Sequence, residues 1–184
     1  MSRIIEKLQY LELILKKYNA PVLEYLNPGL SKKEVDSFLQ LNNISPVQPL
    51  TDLYEWHNGI KTVYGFLGSQ TEFLPSLSFF NMNEMYRMKE FFMKSTDANF
   101  KNKNEYIPIL GSGEDDMLLL QLSTGQLYFY APIIQIYGEL EFNSLESMLD
   151  CIIECFEKGV YSTNPVAGLT VDIDQYNLLK TKYI

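Results

Sequence analysis

From Tyr106 to Pro132 the chain reads YIPILGSGEDDMLLLQLSTGQLYFYAP, three short apolar runs parted by two polar turns. The runs Tyr106–Leu110, Met117–Leu122 and Gln126–Ala131 have strand length and strand-like composition. Links this short join antiparallel neighbours, since a parallel return needs a long crossover. The middle run is apolar on both faces, as a central strand covered from both sides must be. Ser123-Thr124-Gly125 is the hairpin connection between the last two runs. The spacing predicts an antiparallel meander.

Helical periodicity occupies both flanks. Ile4, Leu8, Leu11, Leu15 and Tyr18 recur every three or four residues, joined by Ile5 and Ile14, and predict an amphipathic helix ending near Asn19 to Pro21. Ser31 with Glu34 is a capping-box pattern, with Leu30 and Val35 as its hydrophobic staple, opening a helix through Phe38 to about Leu41. A third helix is expected after Pro49, carrying Leu50, Leu53, Tyr54 and Trp56. It stops at Asn58-Gly59, where glycine can take a left-handed cap. KTVYGFL, from Lys61, reads as a short strand and EFLPSLSFF as an extended segment with a turn. Asn81 or Asn83 then caps a helix through Phe91-Phe92. KSTDANFKNKN is polar and aperiodic, and reads as a surface loop. A further helix begins at Asn143, turns Leu145, Met148, Leu149, Ile152, Ile153 and Phe156 to one face, and closes at Gly159. A last short helix enters at Asp172 or Asp174. Nothing repeats, and 184 residues suit one domain with a sizeable core.

The net charge of −8 is unevenly placed. Residues 101–160 hold ten acids against Lys101, Lys103 and Lys158, whereas residues 1–100 hold eleven acids against ten bases. From Asn104 to Glu157 neither Lys nor Arg occurs. Such a stretch repels phosphates and attracts a basic protein, which disfavours direct nucleic-acid binding. Within it Glu146, Asp150 and Glu154 follow at successive i, i+4 positions with Glu157 alongside, opposite the apolar stripe. Like charges at that spacing cost about 0.2–0.5 kcal/mol per pair, and no base within the segment relieves them. Two readings stay open: a solvated face that aids solubility, and a surface for a basic partner. On the second reading Glu139, Glu141, Glu146, Asp150 and Glu154 are the contacts, with Asp115 and Asp116 as outliers of the same patch.

Other chemistry has less to stand on. GSGEDD, Gly111 to Asp116, lacks the helix that a phosphate cradle needs after its glycines, and no Lys-Ser or Lys-Thr closes the motif. It also lacks the alternate ligands and sixth-position glycine of a calcium loop. A tight turn is the favoured reading, with a metal or acid/base role for its carboxylates as the alternative. His57 is the only histidine, and a place at a helix C-terminus that favours a cationic ring accounts for it. Cys151 and Cys155 share a helix face, where bridging would strain the helix. Two reduced thiols packed as small hydrophobes is the reading, a Cys–His pair being formally possible. No apolar run approaches the roughly 18 residues that span a bilayer. The N-terminal stretch, with Glu6 and Glu12 among its apolar residues, is not a signal peptide. The expectation is a cytoplasmic protein without cofactor, metal or membrane partner.

Three segments, in this order, resemble the SUKH superfamily, named in part for a yeast regulator of cell-wall assembly and common as bacterial immunity proteins. LSKKEVDSFLQLNNISPVQPLTDLYEWHNGI is similar to the family's opening helix pair, which ends in an "hNG" signature, here His57-Asn58-Gly59. YIPILGSGEDDMLLLQLSTGQLYFYAP is similar to its sheet segment, and FNSLESMLDCIIECFEKGVY to its later helix. DIDQYNLLKTKY matches its terminal helix, while the stretch before residue 30 and the entry LNNISPVQPL depart from the common pattern. The resemblance implies an α+β fold, helices packed against a mostly antiparallel (mixed) sheet in a single domain. Residues 1–29 would be a helical extension, 30–160 the core and 161–184 a tail. It implies no catalytic residues, and action by binding and blocking a toxin, often a nuclease. Nuclease toxins are basic where they hold nucleic acid, so an acidic surface suits such a partner. A regulatory adaptor like the fungal members is the alternative; it expects disordered arms, and the sequence has no low-complexity tract.

Overall fold

The meander forms, and it is longer than its three legible strands. The computed structural model describes residues 2–61, 68–95, 100, 102–112 and 115–184. In chain order the elements are α1 (Arg3–Lys17), α2 (Val22–Tyr25), β1 (Leu26–Pro28), α3 (Lys32–Leu41), α4 (Gln48–Trp56) and β2 (His57–Ile60). A 3₁₀ turn (Gly68–Thr71) leads to β3 (Glu72–Leu74), β4 (Leu77–Phe79) and α5 (Met82–Lys94). A second 3₁₀ turn (Lys103–Glu105) precedes β5 (Tyr106–Gly111), β6 (Met117–Gln121), β7 (Leu127–Ala131) and β8 (Ile136–Phe142). The chain then forms α6 (Leu145–Glu157), β9 (Tyr161–Asn164), β10 (Gly168–Val171) and α7 (Ile173–Lys180). The result is an α+β fold with β3 to β8 in one six-stranded sheet in sequence order. Every pairing among the described residues is antiparallel.

Local chemistry places the helix starts. Ser31 accepts from the Glu34 amide while the Glu34 carboxylate takes the Ser31 amide, completing the capping box. Asn81 caps α5 through the Glu84 amide at 3.0 Å, and Asp172 caps α7 through the Gln175 amide at 3.1 Å. Two expected boundaries move. Ser144, rather than Asn143, caps α6, its hydroxyl accepting from the Ser147 amide at 3.0 Å. The third helix starts at Gln48 and ends at Trp56, so His57, Asn58 and Gly59 are strand residues. The strand expected over KTVYGFL falls on residues 62–67, outside the described residues beyond Lys61, as does part of the loop after Lys94.

Both faces of the sheet are covered, as β6 requires: Met117, Leu118 and Leu119 are fully buried. On one face α5 sends Phe92 into an aromatic cluster, 5.0 Å from Phe100, 5.2 Å from Tyr130 and 6.4 Å from Tyr106 between ring centres. Over the other face α1, α4 and α6 bring Leu8, Leu11, Leu53, Met148, Leu149 and Ile152 against Phe79, Ile109 and Leu110. The stretch expected as an extension is therefore core, since α1 buries Leu8, Leu11, Ile14 and Leu15. The tail likewise contributes a hairpin, β9–β10, before its helix. No helix among the described residues is long and apolar enough to cross a membrane.

Candidate partner-binding surface

Of the acidic residues singled out above, Glu146, Asp150 and Glu154 lie on α6 and Glu141 on β8, but these four are not left unrelieved. Cations arrive from both ends of the chain. Lys7 on α1 pairs with Asp150 and stands 3.7 Å from Glu146, and Arg3 stands 3.8 Å from Glu146. Glu154 meets Lys158, lies 2.9 Å from Lys182 and accepts the Tyr183 hydroxyl. Those hydrogen bonds, that of Lys158 foremost, hold the Glu154 carboxyl down at about 2. Glu141 on β8 pairs with Lys180 on α7 at 2.7 Å, both side chains only 18% exposed. The expectation of an unopposed acidic stripe is thus corrected: its charges are shared with α1 and α7. The reason is topological. A base-free segment says nothing about bases that packing brings from 140 residues away.

The outlying acids behave differently. Glu139 is exposed on β8, opposite Phe129 of β7, and forms no ion pair among the described residues. Glu157 is exposed and accepts from the Tyr10 hydroxyl at 2.8 Å. Asp115 is exposed with a left-handed φ of 66°, in the turn joining β5 to β6, where the Ser112 amide donates to the Asp116 carbonyl at 3.0 Å. The described ends of GSGEDD therefore close an antiparallel pair, Gly111 opposite Met117. Gly113 and Glu114 lie outside the described residues. Asp115 and Asp116 belong to that turn, not to the α6 surface.

His57 is the C-cap residue of α4, at the helix end where the sequence places it, and its ring is held by other elements. Its Nδ1–H donates to the Asn27 carbonyl at 2.8 Å, and Nε2 lies 3.7 Å from Glu12. The adjoining residues form a joint. Asn58 accepts from the Met82 amide at 3.0 Å at the start of α5, and its carbonyl accepts from the Asn27 side chain at 2.9 Å. Gly59 has φ +60°, and a Cβ there would stand 2.2 Å from the Asn81 nitrogen. His57-Asn58-Gly59 thus ties α4, β1 and α5 together, a role that comes in addition to the place of His57 at the end of α4.

Cys151 and Cys155 are fully buried and free, and their mutual hydrogen bond and burial push the Cys151 thiol far up. A raised thiol is a poor nucleophile at neutral pH. No group of three or more His, Cys, Asp or Glu is placed to hold a metal ion among the described residues. No protein-family model matches the chain, and no curated protein matches its sequence.

Proposed function

We propose that this chain is an immunity protein of the SUKH kind, which binds a basic toxin domain, a nuclease for preference, and blocks it by stoichiometric complex formation. The observation that carries the reading is the His57-Asn58-Gly59 joint. The signature of the first resembling segment is where β2 meets β1 and the start of α5. The residues that carry the resemblance are thus ones whose geometry the fold needs, and the same fold packs the other two segments against each other. A net charge of −8 supports a basic partner. The contacts we assign are Glu139, Glu141, Glu146, Asp150 and Glu154. Exposed ion pairs contribute only about 0–1 kcal/mol each, so a partner's arginines and lysines can displace Arg3 and Lys7 at small cost.

The test is capture of partners from source-cell lysate on the tagged protein, washed at low and then high salt. Equimolar addition of the protein to whatever enzyme is recovered follows. A single basic polypeptide whose activity is abolished at one-to-one stoichiometry is the expected result. Recovery of several signalling or wall-synthesis proteins, none of them inhibited, replaces this reading with the adaptor.

A further inference from the structure

Asn58-Gly59 is the one Asn-Gly pair in the chain, and no Asp-Gly occurs. The pair has a reaction of its own. A glycine nitrogen, with no Cβ beside it, can close on the side-chain carbon of the asparagine before it and form a five-membered ring. The Gly59 N–Cγ bond forms, the Cγ–Nδ2 bond breaks, and the Gly59 amide proton passes through water to the departing ammonia. Water then opens the succinimide. Cleavage at the side-chain carbonyl gives aspartate; cleavage at the main-chain carbonyl gives isoaspartate, whose backbone runs through Cβ. Water is the only co-reactant.

The fold restrains both reacting groups. The Asn58 carboxamide oxygen accepts from the Met82 amide at 3.0 Å, at the first residue of α5. The Asn58 main-chain carbonyl accepts from the Asn27 side chain at 2.9 Å, which fixes the peptide plane that carries the Gly59 nitrogen. Ring closure needs rotation about the Asn58 Cα–C bond, away from the extended form of a strand residue, and that rotation swings the carbonyl off Asn27. Gly59 is buried, its α-carbon against the Phe80-Asn81 backbone, so a base reaches its amide only when the joint opens.

We propose that Asn58 is a deamidation site gated by this joint, protected while α5 is docked on β2 and converted when α5 lifts away. Conversion is one-way. The aspartate product keeps an acceptor for the Met82 amide. Isoaspartate instead lengthens the main chain by one methylene and moves the carbonyl that Asn27 holds onto a branch. The joint has no space for the added carbon, since even a Cβ on Gly59 would stand 2.2 Å from the Asn81 nitrogen. A chain converted to isoaspartate therefore cannot close the joint again.

The experiment incubates the wild-type protein in mildly alkaline buffer, native and unfolded in guanidinium. Peptides from timed samples are read by mass spectrometry, with isoaspartate resolved from aspartate. In guanidinium Asn58 should convert before any other asparagine. In native buffer it should convert at least about tenfold more slowly, because only the open state reacts. Asn27→Ala, which frees the Asn58 carbonyl, should raise the native rate about threefold or more and leave the unfolded rate unchanged. Another asparagine converting first when unfolded, equal rates in the two conditions, or a native rate unmoved by Asn27→Ala each overturn the proposal. The wild-type comparison needs no variant, so an Asn27→Ala protein that fails to fold leaves it decisive. The isoaspartate form, isolated by chromatography and returned to native buffer, should lack the cooperative unfolding of the wild type. An isoaspartate form as stable as wild type overturns the one-way step.

Discussion

Lys7 of α1 meets Asp150 of α6 across 143 residues of sequence. That contact ties the first helix to the acidic one and offsets one of the four carboxylates that α6 carries. Replacing Lys7 by Ala should leave stability within about 1 kcal/mol, because the pair is partly exposed. It should also speed association with a basic toxin at low salt, an acceleration that vanishes at high salt. Urea unfolding and stopped-flow binding read the two effects; unchanged rates at low salt would remove α6 from the interface.

Gly59→Ala tests the joint. Its Cβ would stand 2.2 Å from the Asn81 nitrogen and 2.3 Å from the Phe80 carbonyl carbon, at a left-handed φ. Backbone cannot retreat as a flexible side chain can, so the loss should exceed about 2 kcal/mol. Chemical denaturation gives the value, and a loss below 1 kcal/mol, on the order of an ordinary surface change, would contradict the packing at Phe80.

Glu154 makes acid stability measurable. Its carboxyl is held down from 4.5 to about 2 by Lys158, Tyr183 and Lys182. A depressed carboxyl adds stability above its unfolded pKa, and that increment is lost as pH falls through the folded value. The melting temperature should therefore decline between those two pH values. Glu154→Gln should be less stable than wild type at neutral pH and converge with it only once the pH has fallen through the folded value, where both side chains are neutral. Parallel curves over that window would deny Glu154 this role.

Phe92 anchors the face of the sheet opposite α1 and α6, with three aromatic neighbours and no exposure. Truncation to Ala should cost about 3–5 kcal/mol from lost burial and the cavity left behind. The midpoint of guanidinium unfolding reports it.

The two thiols give a readout of global opening. Both are fully buried on α6, and Cys151 is pushed up by Cys155 and by desolvation. Labelling with a thiol reagent should proceed only at the rate and denaturant dependence of whole-molecule unfolding. Fast labelling in native buffer would place α6 in a locally open state.

Much of the fold was legible because its signals are local. Strand runs with turn residues between them, the Ser31–Glu34 box, and the caps at Asn81 and Asp172 all act within a few residues of where they are written. β8 was not legible. IYGELEF has the alternation of a strand broken by Gly138, which has φ +81° and lies under the Phe100 ring, where a Cβ would come within 2.7 Å. Only a residue 38 positions earlier explains that glycine. β1 and β2 were hidden for a similar reason: three or four residues each, they are strands because they pair with one another.

For the candidate surface the division falls between charge and its neutralisation. The composition of residues 104–157 alone determined that α6 and β8 carry acids and no bases. Only the tertiary structure decided which of those acids keep a free charge. Coulomb attraction depends on distance in space, and packing brought Lys7, Lys180 and Lys182 to Asp150, Glu141 and Glu154 while leaving Glu139 exposed.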